Sequence, residues 1–164
     1  MARLDAPGAR VRALWNRLSP LPGGSTLFSL ALGRMVPYTG RLGARVVALE
    51  PGFCRAELRD RRAVRNHLGS IHAMALANVG EMATGLAVLG AMPATVRGIL
   101  VGFEIDFVKK ARGSLTAECR CTVPSVDARL EHAVEAQIRD AGGDEVARVR
   151  ARWLLSPVDD GSRP

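Results

Sequence analysis

One carboxylate, Glu81, stands in the middle of an apolar segment that reads GSIHAMALANVGEMATGLAVL from Gly69 to Leu89. Between Arg65 and Arg97 it is the only Asp, Glu, Lys or Arg residue. Burial among apolar neighbours is expected to raise the pKa of this carboxyl group toward the working pH range. Such a group serves either as a catalytic nucleophile or general base, or as the partner of an arginine across an interface.

The other residue types that carry metal or redox chemistry form no motif. They are Cys54, Cys119, Cys121, His67, His72 and His132. The cysteines are odd in number and include no CxxC pair, which favours reduced core cysteines in a cytoplasmic protein over a disulfide framework. The histidines lack the HExxH spacing and His132 is remote from the others, so neither a metal nor another cofactor is expected.

The chain is basic, with a formal net charge of +7 and a pI of about 10.6, which is compatible with an anionic partner. The arginines are scattered, however, and form no block of five or six like charges. Arg148, Arg150 and Arg152 recur at a period of two, which on a strand places them on one solvated face. Aromatic residues make up 4% of the chain, too few for a surface that stacks bases, so no nucleic-acid partner is expected.

The 164 residues correspond to one domain, and the segment around Glu81 must be either a membrane span or a core helix. A charged residue at the centre of a membrane helix costs roughly 2.5–3.5 kcal/mol, so a buried helix is the better interpretation and no membrane partner is expected. It is predicted from Ile71 to about Gly90, with Ser70 as the N-cap and Pro93 just beyond the end. Small residues cover more than one of its faces, so a sheet can curl around it.

The rest of the chain supplies short helices and a sheet. Helical spacing predicts two short N-terminal helices, and period-two alternation predicts six strands. The helices are 9–18 and 25–35, and the strands are 44–49, 53–60, 99–108, 115–123, 132–140 and 146–155. The strands are expected to form one antiparallel sheet with a polar outer side.

The order of two strands, one long apolar helix and four more strands resembles the hotdog fold, in which an antiparallel sheet wraps a central helix. Residues 66–83, NHLGSIHAMALANVGEMA, are similar to the family pattern of a loop Asn and a Gly before a His at the helix start, with an acidic residue nine positions after that His. Residues 105–119, IDFVKKARGSLTAEC, are similar to the strand, turn and strand of the same family. The resemblance is closest to acyl-CoA thioesterases of the phenylacetate-pathway type and their relatives.

The resemblance implies an α+β hotdog domain at 40–156, with a two-helix extension at 1–39 and a flexible tail at 157–164. It also implies a cytoplasmic acyl-CoA thioesterase that acts as a homodimer, with further pairing into a homotetramer left open. Glu81 is then the nucleophile or general base, and the amide of Ala73, together with that of Met74, is the oxyanion donor. Because eight residues of helix separate Glu81 from Ala73 by about 12 Å, each site requires two chains with antiparallel central helices.

The loop before the helix supplies further candidates. On the resemblance, Asn66 orients the thioester or a water molecule, Gly69 lines the substrate site, and His72 supports the loop or holds the carbonyl. Two local interpretations stay open beside these roles: Asn66 as a turn residue that bonds its own backbone, and His72 as a helix-start residue satisfied by nearby backbone.

Substrate binding leaves two questions open. Lys109, Lys110 and Arg112 either meet the phosphates of coenzyme A or are simply solvated. Two glycines usually follow the family's His, but this chain has Ala73 and Met74 there, which keeps the amides and narrows the space beside them. A non-catalytic acyl-CoA sensor or carrier therefore stays open as the alternative function. A hydratase or dehydratase is disfavoured, because those enzymes usually carry a His-based acid-base pair that this sequence supports poorly.

Overall fold

The computed structural model describes residues 7–158. Its helices are α1 Pro7–Leu18, α2 Gly24–Met35, α3 Pro37–Leu42 and α4 Ala73–Ala91, and its strands are β1 Arg45–Glu50, β2 Phe53–Leu58, β3 Val96–Phe107, β4 Leu115–Arg120, β5 Leu130–Asp140 and β6 Glu145–Pro157. A single 3-10 turn, Arg62–Val64, lies between β2 and α4. Residues 1–6 of the predicted extension, and the predicted tail at 157–164 beyond Val158, lie outside the described residues.

The strands form one antiparallel sheet in the order β1-β2-β4-β5-β6-β3, and α4 contacts every strand of it. The predicted architecture, a sheet wrapped around one long central helix, is confirmed. By length and composition α4 could cross a membrane, but most of its apolar stretch is buried inside the fold. Val79, Ala83 and Ala87 of α4 expose no surface, so the helix is the centre of the core.

Residues 7–42 contain three helices, whereas two were expected. Pro37 is typical of a residue that stops a helix, and it does follow α2, but it also takes the first position of α3. At that position its missing N–H is no loss and its fixed φ suits a helix. Gly43, at φ 67°, ends α3 in the left-handed conformation that favours glycine.

The central helix begins two residues later than predicted. Its N-cap is His72 and not Ser70, because the Nδ1 atom of His72 accepts a hydrogen bond from the Met74 N–H at 3.0 Å. Ser70 instead is buried and donates its hydroxyl to Asn66 Oδ1 at 3.2 Å. The serine is therefore part of the preceding loop.

A bulge in β3 changes which side chains face the helix. Strict alternation would place Ile99, Val101 and Phe103 on one face. In the structure Leu100 pairs with Trp153 and Gly102 pairs with Arg152, so that Val101 is left without a partner on β6. The extra residue shifts the alternation, so that Ile99 and Val101 are exposed while Leu100 lies on the α4 side with Phe103.

The β1 edge of the sheet is covered by a helix, whereas the β3 edge is open. At the β1 edge, Ser25 Oγ of α2 donates to the Val46 carbonyl at 2.5 Å, and the Val46 N–H donates to Ser29 Oγ at 3.0 Å. These bonds cover an edge that would otherwise be open to pairing. At the β3 edge no further element of residues 7–158 is hydrogen-bonded, which leaves a twelve-residue strand with one free side.

The exposed face of β6 carries the three alternating arginines, Arg148, Arg150 and Arg152, as predicted. Each forms an ion pair of 3.2 Å or less with a glutamate, which are Glu145, Glu135 and Glu131 respectively. Their charges are therefore largely compensated on this face.

Two of the three predicted core cysteines are buried, whereas Cys121 follows the end of β4 and is half-buried. Cys54 of β2 is directly opposite Cys119 of β4, and both are buried. Burial raises the pKa of the Cys54 thiol to about 12, which makes it unreactive at neutral pH. All three cysteines are free thiols.

Two glycines of α4 provide a matched test of the packing between helix and sheet. A Cβ at Gly80 would lie 2.5 Å from Val149 Cγ2, whereas one at Gly85 would lie 3.4 Å from the Trp153 ring, an ordinary contact. Valine is stiff at χ1 and cannot easily move away.

We expect Gly80→Ala to lower the free energy of unfolding by about 1–3 kcal/mol through overpacking. Gly85→Ala should be neutral or stabilising by up to about 1 kcal/mol, because alanine favours the helix. Urea unfolding of both variants measures this, and equal effects would contradict it.

Candidate active site

Glu81 faces a pocket of about 190 Å³ between α4, α3 and β3. The pocket is lined by Tyr38, Met74, Ala77, Asn78, Glu81, Leu100 and Phe103. Residues three and four apart on a helix share one face, which explains why Met74, Asn78 and Glu81 line the same space. Leu100 and Phe103 of β3, on either side of the bulge, supply the opposite, apolar wall.

The Glu81 carboxylate has no compensating cation within residues 7–158. It forms no ion pair there, and desolvation by burial is the cause that raises its pKa above the ordinary glutamate value. The ring of Trp153 lies close by, since both it and Glu81 Oε1 would be within 4 Å of a Cβ at Gly85. An arginine partner for Glu81, the alternative to catalysis, would therefore have to come from a second chain or from outside the described residues.

The raised pKa of Glu81 predicts a pH dependence of stability. The pKa is higher in the folded than in the unfolded chain. Above the ordinary glutamate value of 4.5, the folded state therefore holds more protons than the unfolded state does at the same pH. Stability contributed by this group therefore falls with rising pH until the raised pKa is passed. Glu81→Gln should remove that fall, so that the variant gains stability relative to wild type across this window. Urea unfolding at a series of pH values measures it, with exposed Glu50→Gln as the control, and parallel profiles of wild type and Glu81→Gln would contradict it.

The start of α4 has one unused amide. The Met74 N–H donates to His72 Nδ1, and the N–H groups of Ala75 and Leu76 donate to the His72 carbonyl at 2.9 and 3.1 Å. The N–H of Ala73 has no hydrogen-bond partner within the described chain. At a helix N-terminus such a donor also carries the positive end of the helix dipole, which favours binding of a negative oxygen.

The loop before α4 is held by Asn66. Its Oδ1 accepts from the N–H groups of Leu68 at 2.9 Å and Ser70 at 3.2 Å, in addition to the Ser70 hydroxyl. Gly69, at φ 68°, donates its N–H to the Asn66 carbonyl at 3.2 Å. These bonds match the interpretation of Asn66 as a turn residue, and a role for Asn66 or Gly69 toward substrate stays a prediction.

A second pocket of about 280 Å³ continues from the first toward the start of α4. Tyr38, Met74 and Asn78 line both, so we call the two together the Glu81 groove. Arg41, Arg65 and His72 line its far end, where Arg65 is paired with Asp60 at 2.6 Å. The groove therefore runs from an apolar end at Glu81 to a basic end at the helix start.

Asn78 is a site residue that the sequence analysis missed. It lies one turn before Glu81 and lines both parts of the groove. Its Nδ2 donates to Thr39 Oγ1 at 3.4 Å, while its buried Oδ1 has no hydrogen-bond partner. A buried polar atom without a partner is rare and is often found where a ligand or water binds.

The basic hairpin lies beside the helix start, because the Ile71 N–H donates to the Ala111 carbonyl at 2.9 Å. Lys109 is occupied there: its Nζ lies 2.8 Å from Asp140 and 2.6 Å from Asp144. Lys110 and Arg112, on either side of Ala111, are exposed. Of the three predicted phosphate ligands, these two are therefore the better placed.

Several solved structures are similar to this chain in fold. One, named genomics APC5556, has a TM-score of 0.81 at 25% identity and covers 92% of this chain and 100% of its own. PA5026 from Pseudomonas aeruginosa, named "Probable Thioesterase", has a TM-score of 0.74 at 25% identity, covering 84% and 97%. The protein smu.793 from Streptococcus mutans UA159, solved bound to acetyl CoA, has a TM-score of 0.60 at 16% identity, covering 70% and 89%.

Comparison with curated proteins gives no significant match. The sequence profile of a protein family, described as domain of unknown function DUF4442, matches residues 24–155. That range begins at α2 and ends within β6, so it includes the hotdog sheet, the central helix and two of the three N-terminal helices. The chain belongs to the DUF4442 family, and its fold is that of the hotdog thioesterases.

Proposed function

We propose that this protein hydrolyses an acyl-CoA thioester at a site built from two copies of the chain. The observation that carries the proposal is the Glu81 carboxylate, which faces a groove in a hotdog fold and has no neutralising cation among residues 7–158. A half-buried carboxylate whose pKa is raised by desolvation is a stronger base than an exposed one, which suits nucleophilic or general-base work. The naming of PA5026 as a thioesterase and the acetyl CoA bound to smu.793 support the same substrate class.

The proposed reaction uses the Glu81 carboxylate and the Ala73 amide. Either Glu81 attacks the thioester carbonyl, so that the CoA thiolate leaves and water then hydrolyses the acyl-glutamyl anhydride, or Glu81 takes a proton from a water that attacks directly. In both routes the carbonyl oxygen becomes negative and is stabilised by the Ala73 amide. His72 keeps the Met74 amide occupied, which leaves Ala73 as the donor. Asn78, whose buried Oδ1 is unpaired, is placed to orient the attacking water.

A second chain is needed because Ala73 and Glu81 are eight residues apart on one helix, or about 12 Å along its axis. A reacting carbonyl must lie within about 3–3.5 Å of its attacking group. Two chains related by a two-fold axis, with their α4 helices antiparallel, bring Ala73 of one opposite Glu81 of the other and form two equal sites. The free β3 edge supports such a homodimer, because pairing of the two β3 strands would extend the sheet across it.

Coenzyme A carries its charge on phosphates, and the basic groups near the helix start are the proposed ligands for them. Lys110 and Arg112 are exposed beside the loop that begins α4. Lys109, which is held by two aspartates, would position this hairpin rather than contact phosphate. The acyl group then extends toward Leu100 and Phe103 of the chain that supplies Glu81, at the apolar end of its groove.

The test is turnover of purified protein against short, medium, long and aryl acyl-CoAs, with release of free thiol detected, alongside its oligomeric state by light scattering. Saturable hydrolysis by a dimer or tetramer supports the proposal. Tight acyl-CoA binding without turnover would instead favour the sensor or carrier. The observation behind that alternative is Met74, which is 59% exposed and lines both parts of the groove, where it occupies space beside the helix start.

A further inference from the structure

A separate cavity of about 590 Å³ lies between helices α2 and α3 and the strands β1 and β2. We call it the helix–strand cavity. Its apolar surface comes from Leu30 and Leu32 of α2 and from Met82 of α4. The volume is within the range of sites that hold small organic ligands, about 300–1,000 Å³.

The walls of the cavity are fixed by hydrogen bonds and backbone packing. Ser25 and Ser29 bind α2 to the backbone of Val46. A Cβ at Gly33 would come within 2.9 Å of Gly40 Cα, so these glycines let α2 and α3 cross in close contact. The far end of α3 is held by Arg61, whose Nη2 donates to the carbonyls of Arg41 and Leu42 at 2.8 and 2.7 Å. The cavity is therefore preformed and does not need a ligand to shape it.

Unpaired positive charge surrounds this cavity. Arg34, Arg41 and Arg59 line it, and none of them forms an ion pair with another described residue. The one acidic residue in the lining is Glu57, which Arg45 already neutralises at 2.6 Å. This contrasts with the outer face of the sheet, where each alternating arginine of β6 has a glutamate partner.

The helix–strand cavity is distinct from the Glu81 groove. Thr39 lines the cavity, Asn78 lines the groove, and the hydrogen bond between them lies in the wall that separates the two. Met82 follows Glu81 in sequence, but consecutive residues point about 100° apart around a helix, so the two side chains serve different spaces. The linings share Arg41 at the basic end of the groove.

We propose that the helix–strand cavity binds an amphipathic anion: an apolar chain or ring that contacts Leu30, Leu32 and Met82, with a carboxylate or phosphate head held by Arg34 and Arg59. Guanidinium groups match both kinds of head through paired charge-assisted hydrogen bonds. An apolar floor below a rim of cations recognises such a molecule by both of its parts. This site is independent of the thioester chemistry proposed for Glu81.

Calorimetric titration of the full chain with octanoate, octyl phosphate and 1-octanol tests the proposal. We expect one of the two anions to bind with one molecule per chain, and 1-octanol to bind at least tenfold more weakly, because it lacks the charged head. Binding of octanoate alone would identify a carboxylate ligand, and binding of octyl phosphate alone a phosphate ligand. Failure of both anions to bind, or equal binding of 1-octanol, would overturn the proposal.

Matched variants locate the site. Arg34→Gln with Arg59→Gln should weaken binding roughly tenfold for each guanidinium removed, whereas Arg129→Gln, in an exposed loop, should not. Leu30→Gln should also weaken binding, while Leu27→Gln should not, because both leucines are about half exposed on α2 but only Leu30 lines the cavity. Unchanged affinity in the double arginine variant, or equal losses in Leu27→Gln and Leu30→Gln, would show that the anion binds elsewhere and overturn the assignment.

Discussion

Glu81→Gln is expected to lower kcat for the best acyl-CoA substrate by about 10²–10⁴-fold, the range lost when a general base is removed. Glutamine has the shape of glutamate, so the Glu81 groove keeps its lining and KM should change little. It cannot attack a carbonyl as an anion or accept a proton from water, so the loss falls on the chemical step. Steady-state kinetics with thiol detection measure both constants.

The control for this variant is Glu50→Gln, which removes an exposed carboxylate far from the groove and should keep full activity. Folding is checked separately, because removal of a desolvated charge should leave the thermal midpoint of Glu81→Gln equal to or above that of wild type. Turnover of the correctly folded Glu81→Gln variant at the wild-type rate would rule out catalysis by this carboxylate. The acyl-CoA would then be bound, or hydrolysed, by other groups.

The sequence was sufficient for the architecture because two simple patterns dominate it. Alternation of apolar and polar residues marks strands whose inner face is buried, and the long apolar run around Glu81 must be a buried helix. The glycines of that run, Gly80 and Gly85, already indicated close approach by the sheet, and the structure places Val149 and Trp153 there.

The β3 bulge and the N-cap of α4 could not be predicted, because local features of this kind leave no periodic pattern in the sequence. The bulge at Val101 inserts one residue into an apolar run, and nothing in the alternation fixes which residue is left unpaired. His72 caps α4 because its ring nitrogen is free to accept a bond, whereas Ser70, the better cap by type, is taken by Asn66. The hydrogen bonds of the loop therefore decide which of these two residues caps the helix.

Asn78 was missed although a signal existed. It lies three residues before Glu81, and residues at that spacing are neighbours on a helix face. A polar side chain one turn from the only carboxylate of an apolar helix is therefore a natural site candidate. The sequence could not show that its Oδ1 is buried and unpaired, or that its Nδ2 donates to Thr39 of α3. The helix α3 was itself absent from the prediction.

Ala73→Pro is expected to remove the oxyanion donor and keep the fold. Proline has no N–H, yet Ala73 is the first residue of α4, the helical position that proline favours. His72 before it has ψ 140°, an extended conformation that a following proline accepts. We expect an unchanged thermal midpoint and a fall in kcat of about 10²–10³-fold. Ala73→Ser, which keeps the amide, is the control and should retain activity, and an active, folded Ala73→Pro would mean that another donor holds the oxyanion.

Mixing the two inactive variants decides whether each site spans two chains. In a heterodimer of Glu81→Gln with Ala73→Pro, one site combines the intact Ala73 amide of the first chain with the intact Glu81 of the second, and the other site lacks both groups. Co-expression in equal amounts makes half of the dimers mixed, and one of the two sites in each mixed dimer is intact. Two inactive variants should therefore together recover about a quarter of wild-type activity. If donor and carboxylate instead acted within one chain, every chain in the mixture would lack one of them and no activity would return. The same result measures the arrangement of the α4 helices, because only an antiparallel pair brings the start of one opposite Glu81 of the other.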